Sequence, residues 1–229
     1  MKRIISLSFP TAAIAAILGF GSPRLQAQAY TYNFTGVFSG VTPSGTGPWV
    51  DATFQNTTGG VLLTINNAAL SSGEFVSDLY FNLNPAAGNV NNLTFTLENS
   101  SAGVSAPLVD TGNDSFKADG DGKYDILLQF SSGKARQFGA GDSMTFLISG
   151  IAGLTAADFE QESAPSGGAS PYYAAAEIQG CPAGNGVCWS DPCDGPVPLP
   201  VPEPAPLAVM AVSFAALLGR RFWKRQSIA

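Results

Sequence analysis

The chain has 229 residues, 45% of them hydrophobic and only 12% charged, with 26 Gly and 16 Pro; that is length for one domain and too little Gly plus Pro for a low-complexity or collagen-like chain. Histidine is absent, which excludes Ser-His-Asp and Cys-His catalysis and any His-ligated zinc. The formal net charge of −6 argues against a nucleic-acid binder, but it averages two unlike regions: seven bases at the two ends give +7, while all 17 acids lie between them with only Lys117, Lys123, Lys134 and Arg136, giving −13.

The chain begins Met1, Lys2, Arg3, followed by an apolar stretch over residues 4–20, a Gly21, Ser22, Pro23 break and the small-residue pattern Ala27, Gln28, Ala29. A short basic segment, an apolar core and an A-x-A site describe a secretory signal peptide over residues 1–29, with the mature start at Gln28 or Tyr30.

Over residues 30–180 the dominant period is two. Tyr30, Tyr32, Phe34 and Phe38 alternate with Thr31, Asn33, Thr35 and Val37. The apolar triplets at 50/52/54 and 61/63/65 flank a turn at residues 56–60 and read as a hairpin. The pattern returns at residues 79–83, 93–97, 124–130 and 144–148, separated by Asn-, Ser-, Asp- and Gly-rich turns. Short alternating strands with one apolar face predict an all-β body, an antiparallel β-sandwich of jelly-roll-like form. The one helical candidate covers residues 154–162, with Thr155 as N-cap and Asp158 three positions on. Residues 171–179 are expected to finish the sheet.

Three groups of residues bear on chemistry. Asp119, Asp121 and Asp125, with Asp114 just upstream, place carboxylates at alternate positions around a Gly-rich turn, as a calcium loop requires. Lys123 and Phe130 stand where an EF-hand needs an acid or amide and a Glu, so the pattern is not an EF-hand, and Asp119-Gly120 reads more readily as a hairpin turn than as a calcium site. Two carboxylates such as Glu74 and Glu177 would serve a glycosidase if the fold brought them together. Trp49, Tyr172, Tyr173 and Trp189 are candidates to stack on sugar rings, with Trp49 and Trp189 expected on loops.

After Gly180 the chain changes character. Residues 181–204 form a cysteine-containing loop and a Pro-rich spacer. Cys181, Cys188 and Cys193 fall within thirteen residues of an exported chain, which predicts a local disulfide, Cys181 with Cys188 or Cys188 with Cys193, the six-residue gap with Gly184 and Gly186 favouring the first. The third thiol is left free or pairs between molecules.

Residues 205–229 contain an apolar run at 207–219 and then Arg220, Arg221, Lys224 and Arg225. As a helix the run rises about 20 Å, short of the ~30 Å hydrocarbon core, with aromatic and cationic flanks to extend it. The basic cluster stays cytoplasmic and leaves the body outside.

Val201, Pro202, Glu203 and Pro204, the short hydrophobic segment and the Arg-rich terminus together resemble the PEP-CTERM sorting signal of Gram-negative bacteria. That resemblance covers about the last 30 residues. It implies export by the Sec machinery, transient anchoring in the inner membrane, recognition by an exosortase and removal of the tail near Glu203, with Glu203 recognised rather than catalytic. Delivery would be to the cell surface or extracellular matrix, in organisms that make exopolysaccharide. Residues 74–83, 111–122, 138–141 and 173–180 look like pieces of a recurring PEP-CTERM passenger domain, a resemblance that brings no established activity.

The expectation is a non-enzymatic structural or adhesive component of an exopolysaccharide matrix, with no nucleic-acid partner. A second reading is a calcium-assisted carbohydrate-binding module, with calcium its one cofactor, and a third is a glycoside hydrolase.

Overall fold

The computed structural model describes residues 28–67, 69–167, 171–182, 186–192 and 195–198. The signal segment, Cys193, the sorting motif Val201, Pro202, Glu203 and Pro204, the apolar run and the membrane-stop residues Arg220, Arg221, Lys224 and Arg225 lie outside the described residues.

The body is all-β and consists of two antiparallel sheets. The strands, numbered in chain order, are β1 (Ala29–Phe34), β2 (Gly36–Gly40), β3 (Val50–Thr57), β4 (Gly60–Asn66), β5 (Phe75–Phe81), β6 (Thr94–Ser100), β7 (Leu108–Ala118), β8 (Asp121–Gln129), β9 (Phe138–Gly139), β10 (Ser143–Ser149), β11 (Ala175–Cys181), β12 (Gly186–Asp191) and β13 (Val197–Pro198). The first sheet runs β13-β1-β3-β4-β10-β6; the second runs β2-β12-β11-β5-β8-β7, with β9 paired to β5.

Strict alternation builds the first sheet. In β3, β4 and β10 buried and half-exposed positions alternate along the strand, because successive side chains point to opposite faces. Their inward residues, among them Phe54, Leu63, Ile65 and Phe146, meet Val76, Leu79, Phe81, Ile126, Leu128 and Ile178 of the second sheet in one core. Tyr32 and Phe54 pack edge to face, Phe54 stacks on Phe159 at 4.5 Å, and Phe54 meets Phe81 at 5.2 Å. Each such buried ring contributes about 2–3 kcal/mol of burial free energy. The outward face of this sheet is largely polar and includes Asp51, which accepts from the Asn66 side-chain amide at 2.9 Å. Thr31, Thr53, Thr64 and Thr145 form one cross-strand row, with hydroxyl contacts of 2.8 Å (Thr31 to Thr53) and 3.3 Å (Thr64 to Thr145).

Three expectations are corrected by this architecture. The sheet does not end at Gly180: β12 lies between β2 and β11, and β13 pairs with β1, so the strands continue into the segment taken for loop and spacer. The helix expected at residues 154–162 is a single 3-10 turn, Ala156–Phe159. Asp158 accepts from the Thr155 backbone N–H at 2.8 Å, but Phe159 is drawn into the core and the helix stops there. The run Tyr30, Tyr32, Phe34, Phe38 is not one strand, because the chain changes sheets at Thr35: Phe34 is in the core while Phe38 belongs to a separate cluster on the second sheet.

Candidate functional site

The outward face of the second sheet differs from that of the first. Tyr80, Tyr124, Leu127, Ala118 and Ala175 form a buried cluster apart from the core, rimmed by Phe38, Phe116, Tyr172 and Trp189. Residues 163–164 and Tyr172 tie the following segment back to this sheet. Lys123 and Ala164 exchange backbone hydrogen bonds of 2.8 and 3.1 Å, and Ser163 donates its N–H to the Tyr172 carbonyl at 2.8 Å. The fold-back sets Tyr172 on Phe38 at a ring separation of 4.8 Å. Trp189 then lies 6.2 Å from Phe38 and 6.0 Å from Tyr80. Phe38, Tyr172 and Trp189 are half-buried, so each keeps part of its ring in solvent.

A row of directly paired residues crosses this sheet: Ser39, Trp189, Glu177, Asp78, Gln129 and Leu108. A β-bulge in the β5–β11 pair sets Glu177 opposite Asp78 and then Ile178 opposite Val76, which puts both acids on the outward face while Val76 and Ile178 stay in the core. Burial, and then the hydrogen bond and charge of Glu177, push the Asp78 carboxyl up to about 7, against the opposing effect of hydrogen bonds from Gln129 and Ser77. Gln179 donates to Glu177 Oε1 at 3.0 Å. Burial, followed by these two acids, also raises the Tyr80 phenol. Asp78 therefore keeps its proton well above the ordinary carboxylate range, and a protonated carboxyl both donates and accepts hydrogen bonds.

Beside this face, at the end of the second sheet, is a cleft of ≈ 420 Å³. Asn82, Leu83 and Asp125 form its floor; Asn113, Asp114 and residues 161–165 form its sides. A second cleft of ≈ 490 Å³ lies between the β3–β4 turn and residues 151–155 and carries no titratable side chain.

The calcium candidates separate. Asp119 and Gly120 form the two-residue turn of the β7–β8 hairpin, both at positive φ (48° and 83°), with Ala118 paired to Asp121. That is the turn geometry an Asp-Gly pair favours. Asp114 and Asp125 come together in the cleft, but Asp125 acts as a brace: its oxygens accept the Leu83 N–H at 3.1 Å and the Asp114 N–H at 2.8 Å. Asp121 faces the backbone of Gly167. Among the described residues no three acids or cysteines group as metal ligands.

Glu74 and Glu177 are not a pair. Glu74 is buried and accepts the backbone N–H groups of Ser44 at 2.7 Å and Ser71 at 2.8 Å, tying two turns together. Trp49 is not an exposed loop aromatic: it is 5% exposed and packs in the core. Tyr173 packs against the core as well. Trp189 is on strand β12 rather than on a loop. A disulfide joins Cys181 and Cys188, the β11–β12 hairpin, with Cα atoms 6.5 Å apart and both residues in the core.

Asp78, Asn82 and Phe38 carry no motif. Only Asp78, an acid inside an apolar strand pattern, stood out as a signal in principle, and its partner Glu177 is 99 residues away. No protein-family model matches the chain, and no curated protein or solved structure matches it either.

Proposed function

We propose that this chain is an exported bacterial surface or matrix protein whose jelly-roll-like body adheres to neutral polysaccharide through the outward face of its second sheet. The export half of this reading rests on the two ends of the sequence. The signal segment at residues 1–29 engages the Sec machinery, and the tail, with Val201, Pro202, Glu203 and Pro204, is the exosortase substrate. Arg220, Arg221, Lys224 and Arg225 hold the intermediate in the inner membrane until cleavage.

The adhesive half rests on one observation above all, that half-buried Trp189 is paired to Glu177, itself paired to Asp78, on an outward face. Sugar rings present apolar C–H faces that pack on an aromatic ring, and hydroxyls at their edges that hydrogen-bond to carboxyls. The charge of the body selects among polymers. At −13 it repels uronate- or sulfate-bearing chains at low salt and leaves neutral ones free to approach.

Cell fractionation with mass spectrometry of both termini tests the export reading. The mature protein is expected outside the cell or on its surface without residues 205–229; a secreted protein that retains Arg220 to Ala229 would contradict it. Co-sedimentation of the exported protein with insoluble neutral polysaccharide tests the adhesive reading.

A further inference from the structure

We propose that the row from Trp189 to Leu108 is the track of a single straight, equatorially linked neutral glycan chain that lies across the strands, with room for about four pyranose rings. The proposal rests on the adhesive reading of this face and adds to it the shape of the polymer and the extent of its site.

The row takes one residue from every strand of the second sheet except β9, from Ser39 on the β2 edge through Trp189, Glu177, Asp78 and Gln129 to Leu108 on the β7 edge. Every one of these residues is half-buried or exposed. Leu108, at 61%, is the most exposed large apolar side chain among the described residues. Val109 and Leu128, the next pair along β7 and β8, pack on the core, which fixes Leu108 and Gln129 on the outward face. The neighbouring outward row differs. Ala175, Tyr80 and Leu127 are in register there but buried, with Phe38 and Tyr172 packed on their cluster. A ligand laid along β11 from Glu177 toward Ala175 would run into that aromatic border. One laid across the strands follows accessible positions from one edge strand to the other.

Adjacent strands are ~4.8 Å apart, so Trp189 to Leu108, four strand spacings, covers about 19 Å. A pyranose chain joined through equatorial bonds is extended and advances by close to one such spacing per ring, whereas an axially linked chain coils away from the row. The chemistry along the row suits an extended chain. Trp189 near one end and Leu108 at the other offer apolar surface to the C–H faces of rings. Glu177, Asp78 and Gln129 between them offer carboxyls and an amide to the hydroxyls. Burial and then Glu177 hold the Asp78 carboxyl up to about 7, so it donates as well as accepts. The row holds no lysine or arginine to recruit an acidic sugar.

Calorimetric titration of the exported protein at about pH 6, where Asp78 keeps its proton, decides the matter. The probes are cello- and manno-oligosaccharides, both straight, and coiled malto-oligosaccharides, each from biose to hexaose. At least one straight series is expected to bind about tenfold more tightly as the tetraose than as the biose, and to gain less than about threefold more as the hexaose. The malto series should stay at the level of the biose at every length. Leu108→Ser and Gln129→Ala should each bring the tetraose down to the affinity of the triose and leave the biose unchanged, while Trp189→Ala weakens every length. Leu108 and Gln129 are exposed, so the melting curves of their variants should match wild type. Equal affinity for biose and tetraose, straight and coiled chains binding alike, no binding by either straight series, or a tetraose indifferent to L108S would overturn the proposal. If one of these results is found while neutral polymer still retains wild type and not W189A, the track fails and the adhesive reading stands; polymer that retains wild type and W189A alike removes both.

Discussion

Glu177 on β11 stands directly opposite Asp78 on β5 on the outward face of the second sheet, where burial and then the hydrogen bond and charge of Glu177 push the Asp78 carboxyl up to about 7. Like charges paired across strands destabilise a sheet, so this pair has a consequence for folding as well as for binding. The Asp78 carboxyl titrates near 7 in the folded chain against an ordinary value of 3.8. Between those values the folded state binds more protons than the unfolded one, so stability falls as pH rises through the window and levels off above it. Burial raises the Asp191 carboxyl too, and acts with the same sign. The melting temperature is expected to drop between about pH 4.5 and pH 7.5. Asp78→Asn should flatten that slope and raise the melting temperature at the alkaline end; an unchanged slope in D78N would mean that the general charge of the body, not this pair, governs the pH response.

The mature chain is expected to begin at Gln28 rather than Tyr30. Ala29 is already paired with Gln55, and the Gln28 carbonyl accepts the Asn56 N–H at 2.9 Å. Cleavage after Ala29 removes that pairing and hydrogen bond, at about 1–2 kcal/mol. N-terminal sequencing of the secreted protein checks this directly, and a chain starting at Tyr30 should melt a few degrees lower.

Reduction should destabilise the body through one bond. Cys181 and Cys188, both buried in the core, are joined across seven positions of sequence, and closing so short a loop stabilises the fold by roughly 2 kcal/mol through the unfolded chain. Denaturant unfolding with and without reductant measures the difference. Peptide mapping under non-reducing conditions should recover the Cys181 peptide linked to the Cys188 peptide; a Cys188-to-Cys193 link would contradict the pairing.

The Asp-rich turn is expected to answer to backbone substitutions and not to charge. Gly120, at φ 83°, has a conformation that costs an L-residue about 1–2 kcal/mol, so Gly120→Ala should lower stability by that amount. Asp119→Asn keeps the turn preference and should be nearly neutral. A large loss of stability in D119N, restored by calcium in the wild type only, would make the turn a calcium site.

The sandwich was legible in the sequence because period-two alternation is local: the strands of the first sheet can be read off Val50, Ala52, Phe54 and Val61, Leu63, Ile65. The hairpin turn at Asp119-Gly120 was legible for the same reason. What escaped depends on contacts distant in sequence. The bulge that sets Glu177 opposite Asp78 has no signature within either strand. Phe38 continues the spacing of Tyr30, Tyr32 and Phe34, yet a change of sheet at Thr35 sends it to a different face. Trp49 sits among Gly and Pro like a loop residue, but the strand that begins at Val50 carries it into the core. β12 was hidden by its Cys- and Gly-rich composition, which resembles a loop until it is placed between β2 and β11.

Affinity electrophoresis of the exported protein through gels containing neutral or anionic polysaccharide tests the central claim most directly. Wild type is expected to be retarded by at least one neutral β-glucan or mannan and not by alginate. Trp189→Ala should lose that retardation, by about tenfold or more in affinity, with its melting curve little changed because the ring is only half-buried. Equal retardation of wild type and W189A, or retardation by anionic polymer alone, would contradict the assignment of this face as the adhesive surface.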